Sequence, residues 1–189
     1  GIGSIAGQVL GGLLLDADIF GLGWRAILPG SEAESALTAC DAVDEAAYHA
    51  HRIALGVAEL GSDYDSGAVF PHEADLDQLG GVDFTKGCYV GQEVVSRMQH
   101  RGTARSRFVP VAIDGAVPPV GTTIEAGGKA VGTMGSGADG RGLALLRLDR
   151  VSAAVDAGTA ITAGEATLAP EKPEWAKFEW PLGEATGAE

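Results

Sequence analysis

After Arg107, glycine or proline interrupts the chain every few residues, and this punctuation constrains the fold more than any other feature. Phe108-Val-Pro-Val-Ala-Ile113 alternates weakly. Thr122–Glu125, Ala130–Met134, Gly142–Leu148 and Ala160–Ala163 follow as strand candidates separated by turn residues. Short strands at this spacing predict a small antiparallel barrel. With 189 residues, the chain has room for one ordinary domain or two small ones. The boundary falls near residue 106. An α+β portion (1–106) precedes the barrel (107–170), and a tail (171–189) carries Trp175, Phe178 and Trp180 among charges and prolines. That tail either packs across the body or is partly disordered.

The first portion has a different texture. Gly21 to Pro29 reads as a strand ended by Pro-Gly. Ser31 is a suitable N-cap, with Glu34 completing a capping box, for a helix running to about Ala39. A second helix is expected from about Asp41 to Ala54. Val43, Ala46, Ala47, Ala50, Ile53 and Ala54 fall on one stripe, acids occupy the first turn, and Gly56 ends the helix. Gly61 to Gly81 reads as a long polar loop containing Pro71-His72-Glu73. Gln92 to Gln99 is expected to form one or two helical turns.

Charge narrows the function classes. The net charge of −13 argues against a general nucleic-acid binder. Its distribution is uneven: residues 1–85 hold only Arg25 and Arg52 against fourteen acids, whereas Lys86, Arg97, Arg101, Arg105 and Arg107 stand against Glu93 alone. This island is either a solvated basic face or a small anion site. No run of 18 apolar residues is present, so no membrane span is expected. Gly1 to Leu15 is apolar but lacks a basic leader, which makes it a poor signal peptide, and the expected location is cytoplasmic. The chain lacks an initiator Met and reads as one whose N-terminal part is missing. Its two cysteines, Cys40 and Cys88, cannot supply the four ligands of a stable iron–sulfur cluster, and no C-x-x-C or H-E-x-x-H motif suggests a resident metal.

The segment Lys86-Gly-Cys-Tyr-Val-Gly-Gln-Glu-Val-Val-Ser-Arg97 carries the chemistry. Gly87 and Gly91 permit tight turns around Cys88. Lys86, two residues away, and a helix opening near Gly91 favour a reactive thiolate. The competing reading makes Cys88 a small buried apolar residue. Gln92 and Glu93 offer donor and acceptor groups, and Arg97 with the arginines after it offers bidentate clamps for carboxylates. Cys40, among alanines and leucines, reads as inert.

Lys86-Gly87-Cys88-Tyr89-x-Gly91-Gln92-Glu93 resembles the signature of the YgfZ-type folate-binding proteins, relatives of the glycine-cleavage T-protein (aminomethyltransferase) whose mitochondrial cousins assist maturation of iron–sulfur enzymes. Leu22-Gly-Trp-Arg25, Arg52-Ile-Ala-Leu-Gly56 and Pro71-His-Glu-Ala74 resemble further elements of that family. The resemblance implies part of a T-protein-like ring around a folate pocket, closed by the C-terminal barrel. It implies tetrahydrofolate or a derivative as cofactor, held by Glu73, Tyr89, Gln92, Glu93 and Arg97. It also implies a required thiol at Cys88 beside Lys86, and iron–sulfur client or assembly proteins as partners. His72 is expected only to flank Glu73. The aminomethyltransferase's catalytic aspartate lies in a segment that precedes the matched region, so no aminomethyl-transfer residue carries over. An accessory factor for iron–sulfur proteins is the leading expectation; a folate-dependent one-carbon transferase and a non-catalytic interaction module are the alternatives.

Overall fold

The structure, a computed structural model, describes residues 41–101 and 104–182 together with residues 14–15, 21–23, 25–26, 29, 31 and 38. The expected helix ending near Ala39 and Cys40 lie outside the described residues. Among the described residues the fold is α+β, ending in a closed six-stranded antiparallel barrel.

Strand β1 (Leu14–Leu15) pairs with β2 (Arg25–Ala26). Helix α1 spans Glu45–Ala54, later than the periodicity predicts, because Asp44 is its cap: Asp44 Oδ1 accepts the Ala47 amide at 2.9 Å. Val43 therefore precedes the helix and stays 75% exposed instead of joining the apolar stripe. Gly56 follows with φ +80°, and a Cβ there would meet Pro110 and Pro173 at 3.1 Å, so both conformation and space call for glycine. Helix α2 covers Gln92–Arg101.

The barrel is built from β3 (Ser106–Asp114), β4 (Thr123–Ala126), β5 (Lys129–Ala138), β6 (Arg141–Arg147), β7 (Ile161–Ala163) and β8 (Ala166–Pro170). They are ordered β3-β6-β5-β4-β7-β8, and β8 pairs back onto β3. Closure leaves no free edge. Val109, Val111, Ile124, Met134, Leu146 and Leu168 fill the interior, each worth roughly 1.5–3 kcal/mol of burial. Helix α3 (Leu148–Asp156), which sequence periodicity does not announce, closes the barrel by burying Leu148 and Val151 in its core. A second cluster, Ile53 with Phe108 and Leu143, holds α1 against the barrel wall.

The tail packs across the body as far as Leu182, the last residue described. Trp175 is buried and its indole N–H donates to the Leu55 carbonyl at 2.8 Å. The Glu171 amide donates to the Pro110 carbonyl at 2.8 Å.

Candidate functional site

The signature segment is a succession of exposed turns fastened at both ends. Asp83 Oδ1 accepts the Thr85 amide at 2.8 Å and the Lys86 amide at 3.2 Å, which turns the chain into the signature; the hydrogen bonds from Thr85 hold this carboxyl below its usual range. The Lys86 ammonium then lies 4.9 Å from the centroid of the Tyr89 ring, a cation–π contact. A tight turn follows, with the Gln92 amide on the Tyr89 carbonyl at 3.2 Å and Gly91 at φ +87°. Helix α2 leaves from this turn with Val95 as its buried anchor.

Cys88 is a free, exposed thiol, so the buried-hydrophobe reading is set aside. Val90 beside it is fully exposed, and Phe84 and Val94 are also exposed. The structure brings Lys86 to Tyr89 and Arg97 to Glu93. The second is an (i, i+4) pair with side chains 54% and 82% exposed, worth a few tenths of a kcal/mol, about 0.3–0.5. Glu73 lies apart from these pairs in hydrogen bonding: its Oε2 accepts the Phe70 amide at 2.9 Å, closing a turn.

The basic island is smaller than the charge count suggests. Arg107 is buried and spent on carboxylates, so it is no free arm for a ligand. Arg97 is engaged by Glu93. Lys86 and Arg105 remain as exposed cations, while the side chain of Arg101 lies outside the described residues. A cleft of about 270 Å³ lies at the C-terminal end of the basic island, lined by Arg105, Arg107, Leu148, Asp149, Phe178 and Pro181. A larger one of about 690 Å³ lies between the end of α1 and the tail, around Leu55, Pro110, Pro173 and Trp175.

Sequence reasoning missed two buried arginine networks that hold these parts together. In the first, Arg52 Nη1 donates to Asp63 Oδ2 at 2.7 Å and to the Val57 carbonyl at 3.1 Å, and Nη2 donates to Ser136 Oγ at 2.9 Å. Asp63 Oδ1 in turn accepts the Ser136 amide at 2.7 Å and the Ser136 hydroxyl. A Cβ on Gly135 would come within 2.6 Å of Asp63 Oδ1, so the glycine makes room for this carboxylate.

In the second network, Arg107 Nη1 donates to Asp75 Oδ1 at 2.7 Å, Asp77 Oδ1 at 2.9 Å and the His72 carbonyl at 2.9 Å, while Nη2 donates to Asp77 Oδ2 at 3.0 Å. The Phe178 ring stacks on the guanidinium at 4.4 Å. Burial pushes the Asp75 carboxyl up to about 8, although Arg107 works against the shift. At Asp77 burial is outweighed by hydrogen bonds from Arg107 and Gln78, and the carboxyl falls below its usual range. His72 is 2% exposed and does more than flank Glu73. Its Nε2 meets Gln99 of α2 at 3.2 Å and its ring centroid lies 6.2 Å from that of Phe84, so it touches both ends of the signature region. The available signals were the Arg52 of the R-I-x-x-G element and the density of aspartates in the 61–81 segment, which is a packed run of turns and not an open loop.

Residues 105–178 match the family described as "CAF17, C-terminal beta-barrel domain", which defines the class of the barrel. Beyond the barrel, the chain is similar to proteins named iron–sulfur cluster assembly factor IBA57. It is 36% identical to the mitochondrial iron–sulfur cluster assembly factor IBA57 homolog of Mycosarcoma maydis, over 74% of this chain and 42% of that protein. It is 33% identical to the mitochondrial IBA57 of Homo sapiens over 89% of this chain and 47% of that protein, and 34% identical to that of Mus musculus over 74% and 40%. The chain thus spans less than half the length of these relatives. All three are named as mitochondrial proteins, which overturns the cytoplasmic location expected from the sequence. The physical reason is that a compact domain carries no address in its packing; targeting is read from leader segments.

Proposed function

We propose that this chain serves the assembly or repair of iron–sulfur clusters as an accessory factor, with Cys88 as its reactive group and a reduced folate as its ligand. The observation that carries the reading is the placement of Cys88: a solvent-exposed thiol on a turn of the Lys86–Glu93 signature, in a chain similar to proteins named iron–sulfur cluster assembly factors. A single thiol forms a mixed disulfide or supplies one ligand of a cluster shared with a partner, but it does not hold a cluster alone. Exposure suits both tasks. The cluster is cargo, and its remaining ligands come from client or assembly proteins.

The folate component rests on the chemistry of residues in and around the signature. Tetrahydrofolate presents adjacent pterin N–H donors, which suit a carboxylate such as Glu73, and a glutamate tail whose carboxylates suit Lys86, Arg97 and Arg105. Tyr89, Gln92 and Glu93 complete the proposed contact set.

Two measurements separate the components. Complementation of a cell lacking its cluster assembly factor, by the full-length protein with Cys88→Ala, is expected to fail; full rescue overturns the thiol role. Calorimetry of the full-length protein with tetrahydrofolate is expected to give saturable binding that weakens when Lys86 and Arg105 are both changed to Ala. Absence of heat at every concentration overturns the folate role and leaves the thiol role standing.

A further inference from the structure

The Arg107 network has one negative charge too many. Arg107 supplies +1, and Asp75 and Asp77 supply −2 when ionised, in a site where their side chains are 7%, 2% and 4% exposed. Unbalanced charge in such surroundings is costly. Asp75 is also where the hydrogen bonding is incomplete: its Oδ1 takes Arg107, but its Oδ2 is buried with no partner among the described residues. An ionised oxygen left so is expensive, whereas a proton on Oδ2 brings the cluster to neutrality.

The groups facing Asp75 are few. From its own segment come His72 and Asp77, from β3 comes Arg107, and the tail contributes the uncharged Phe178 ring over Arg107. Helix α2 reaches the cluster through the Gln99 amide on His72. His72 Nε2 lies 3.2 Å from Gln99 Oε1, and its Nδ1 is buried without a partner among the described residues. Backbone is tied in as well: the Phe108 amide of β3 donates to the Glu73 carbonyl at 2.8 Å, and Asp75 itself holds a left-handed φ of +57°, a conformation its neighbours must enforce.

We propose that this network is a proton-linked latch: one proton held by Asp75 neutralises it and keeps the turns of residues 70–80 docked on β3, and release of that proton loosens those turns together with the signature helix α2 that His72 grips. The elevated Asp75 carboxyl, pushed up by burial, agrees with a proton retained at neutral pH. The latch lies directly before the Cys88 turn in the chain, so its state sets how firmly that turn is presented. The proposal concerns the body of the fold and stands whether or not folate or a cluster is the ligand.

Hydrogen exchange on the full chain, corrected for intrinsic rates and followed between about pH 6 and pH 7.5, tests it. The reporters are the Phe108 and Leu79 amides and those of α2, with the barrel amides of Val111 and Leu146 as the measure of global opening. Protection at the reporters is expected to fall about tenfold per pH unit, the signature of one proton lost on opening, and to lie at every pH below that of the barrel amides, which open with the whole fold and share its decline. Asp75→Asn is neutral without a proton and is expected to flatten the dependence. Asp77→Asn leaves Arg107 and Asp75 balanced and is expected to do the same, which decides the matter if the first variant does not fold. A purely structural role would lower protection in the variants at every pH and keep the wild-type slope. That result, or a flat wild-type profile, overturns the latch.

Discussion

The barrel and the signature segment are neighbours in the chain and treat their side chains in opposite ways. Between Ser106 and Pro170, strand alternation puts Val109, Val111, Ile124 and Leu146 entirely out of solvent, and ring closure pairs the edge strands. Between Phe84 and Arg97, Cys88, Val90, Glu93, Val94 and Arg97 all face outward, and Val95 is the buried anchor. The barrel's residues are thus accounted for by folding. The signature's residues are not: a fully exposed valine and an exposed thiol between two glycines do little for stability, so their identity answers to what meets that face. Presentation is delegated to a segment that folding barely constrains; the Arg107 network fastens the turns before it, and Arg52 ties α1 to the barrel.

The largest effect should come from breaking that fastening. Arg52→Met leaves Asp63, whose side chain is fully buried, without its counter-ion, and should cost about 3–5 kcal/mol in urea unfolding. A loss below about 1 kcal/mol would mean that solvent reaches Asp63 and that α1 is held by apolar contacts alone. Within the barrel, Leu146→Ala should cost about 2–5 kcal/mol, read the same way, since a closed core relaxes little around a cavity.

The third expectation is a slope. Asp75 holds its proton up to about 8, above the ordinary carboxylate range. The folded state therefore binds a proton that the unfolded chain releases. Its contribution to stability is full below about pH 4, is lost as pH rises through the folded value, and then levels off, at a limiting slope of about 1.4 kcal/mol per pH unit. Asp77, shifted downward, acts with the opposite sign: its contribution is present above the ordinary carboxylate range and is lost in acid. Unfolding free energies measured from about pH 5 to pH 8 should decline in the wild type and decline less in Asp75→Asn. Equal slopes would show that Asp75 is ionised in the fold.

The smallest effects belong to the signature. Cys88→Ala and Val90→Ser should each change stability by no more than about 0.5 kcal/mol, and a shift above about 2 kcal/mol at either position would erase the contrast between the two regions.

Much of this organisation is legible in the residues. Gly and Pro punctuation marks β3 to β7 to within a few residues, since a turn residue acts locally. The periodicity of 41–54 marks α1, although Asp44 caps it later than the apolar stripe suggests. Strand β8 and helix α3 were not legible: Ala166–Pro170 is a strand because β7 and β3 lie on either side of it, and Leu148 with Val151 forms a helix face because the barrel mouth needs a plug. The 61–81 segment reads as a long polar loop, but its Asp63, Asp75 and Asp77 are turned inward by Arg52 and Arg107.

The sequence by itself determined the class of the terminal barrel, the place of α1 and α2, and the signature segment around Cys88, because propensity, periodicity and a short motif are local properties. Only the tertiary structure decided that Cys88 is exposed, that Arg107 is a buried strut and not a ligand arm, and that His72 and Asp75 belong to one network. Those outcomes depend on which groups are brought together from far along the chain and on how much water is left around them, and burial fixes both the availability of a charge and the cost of carrying it.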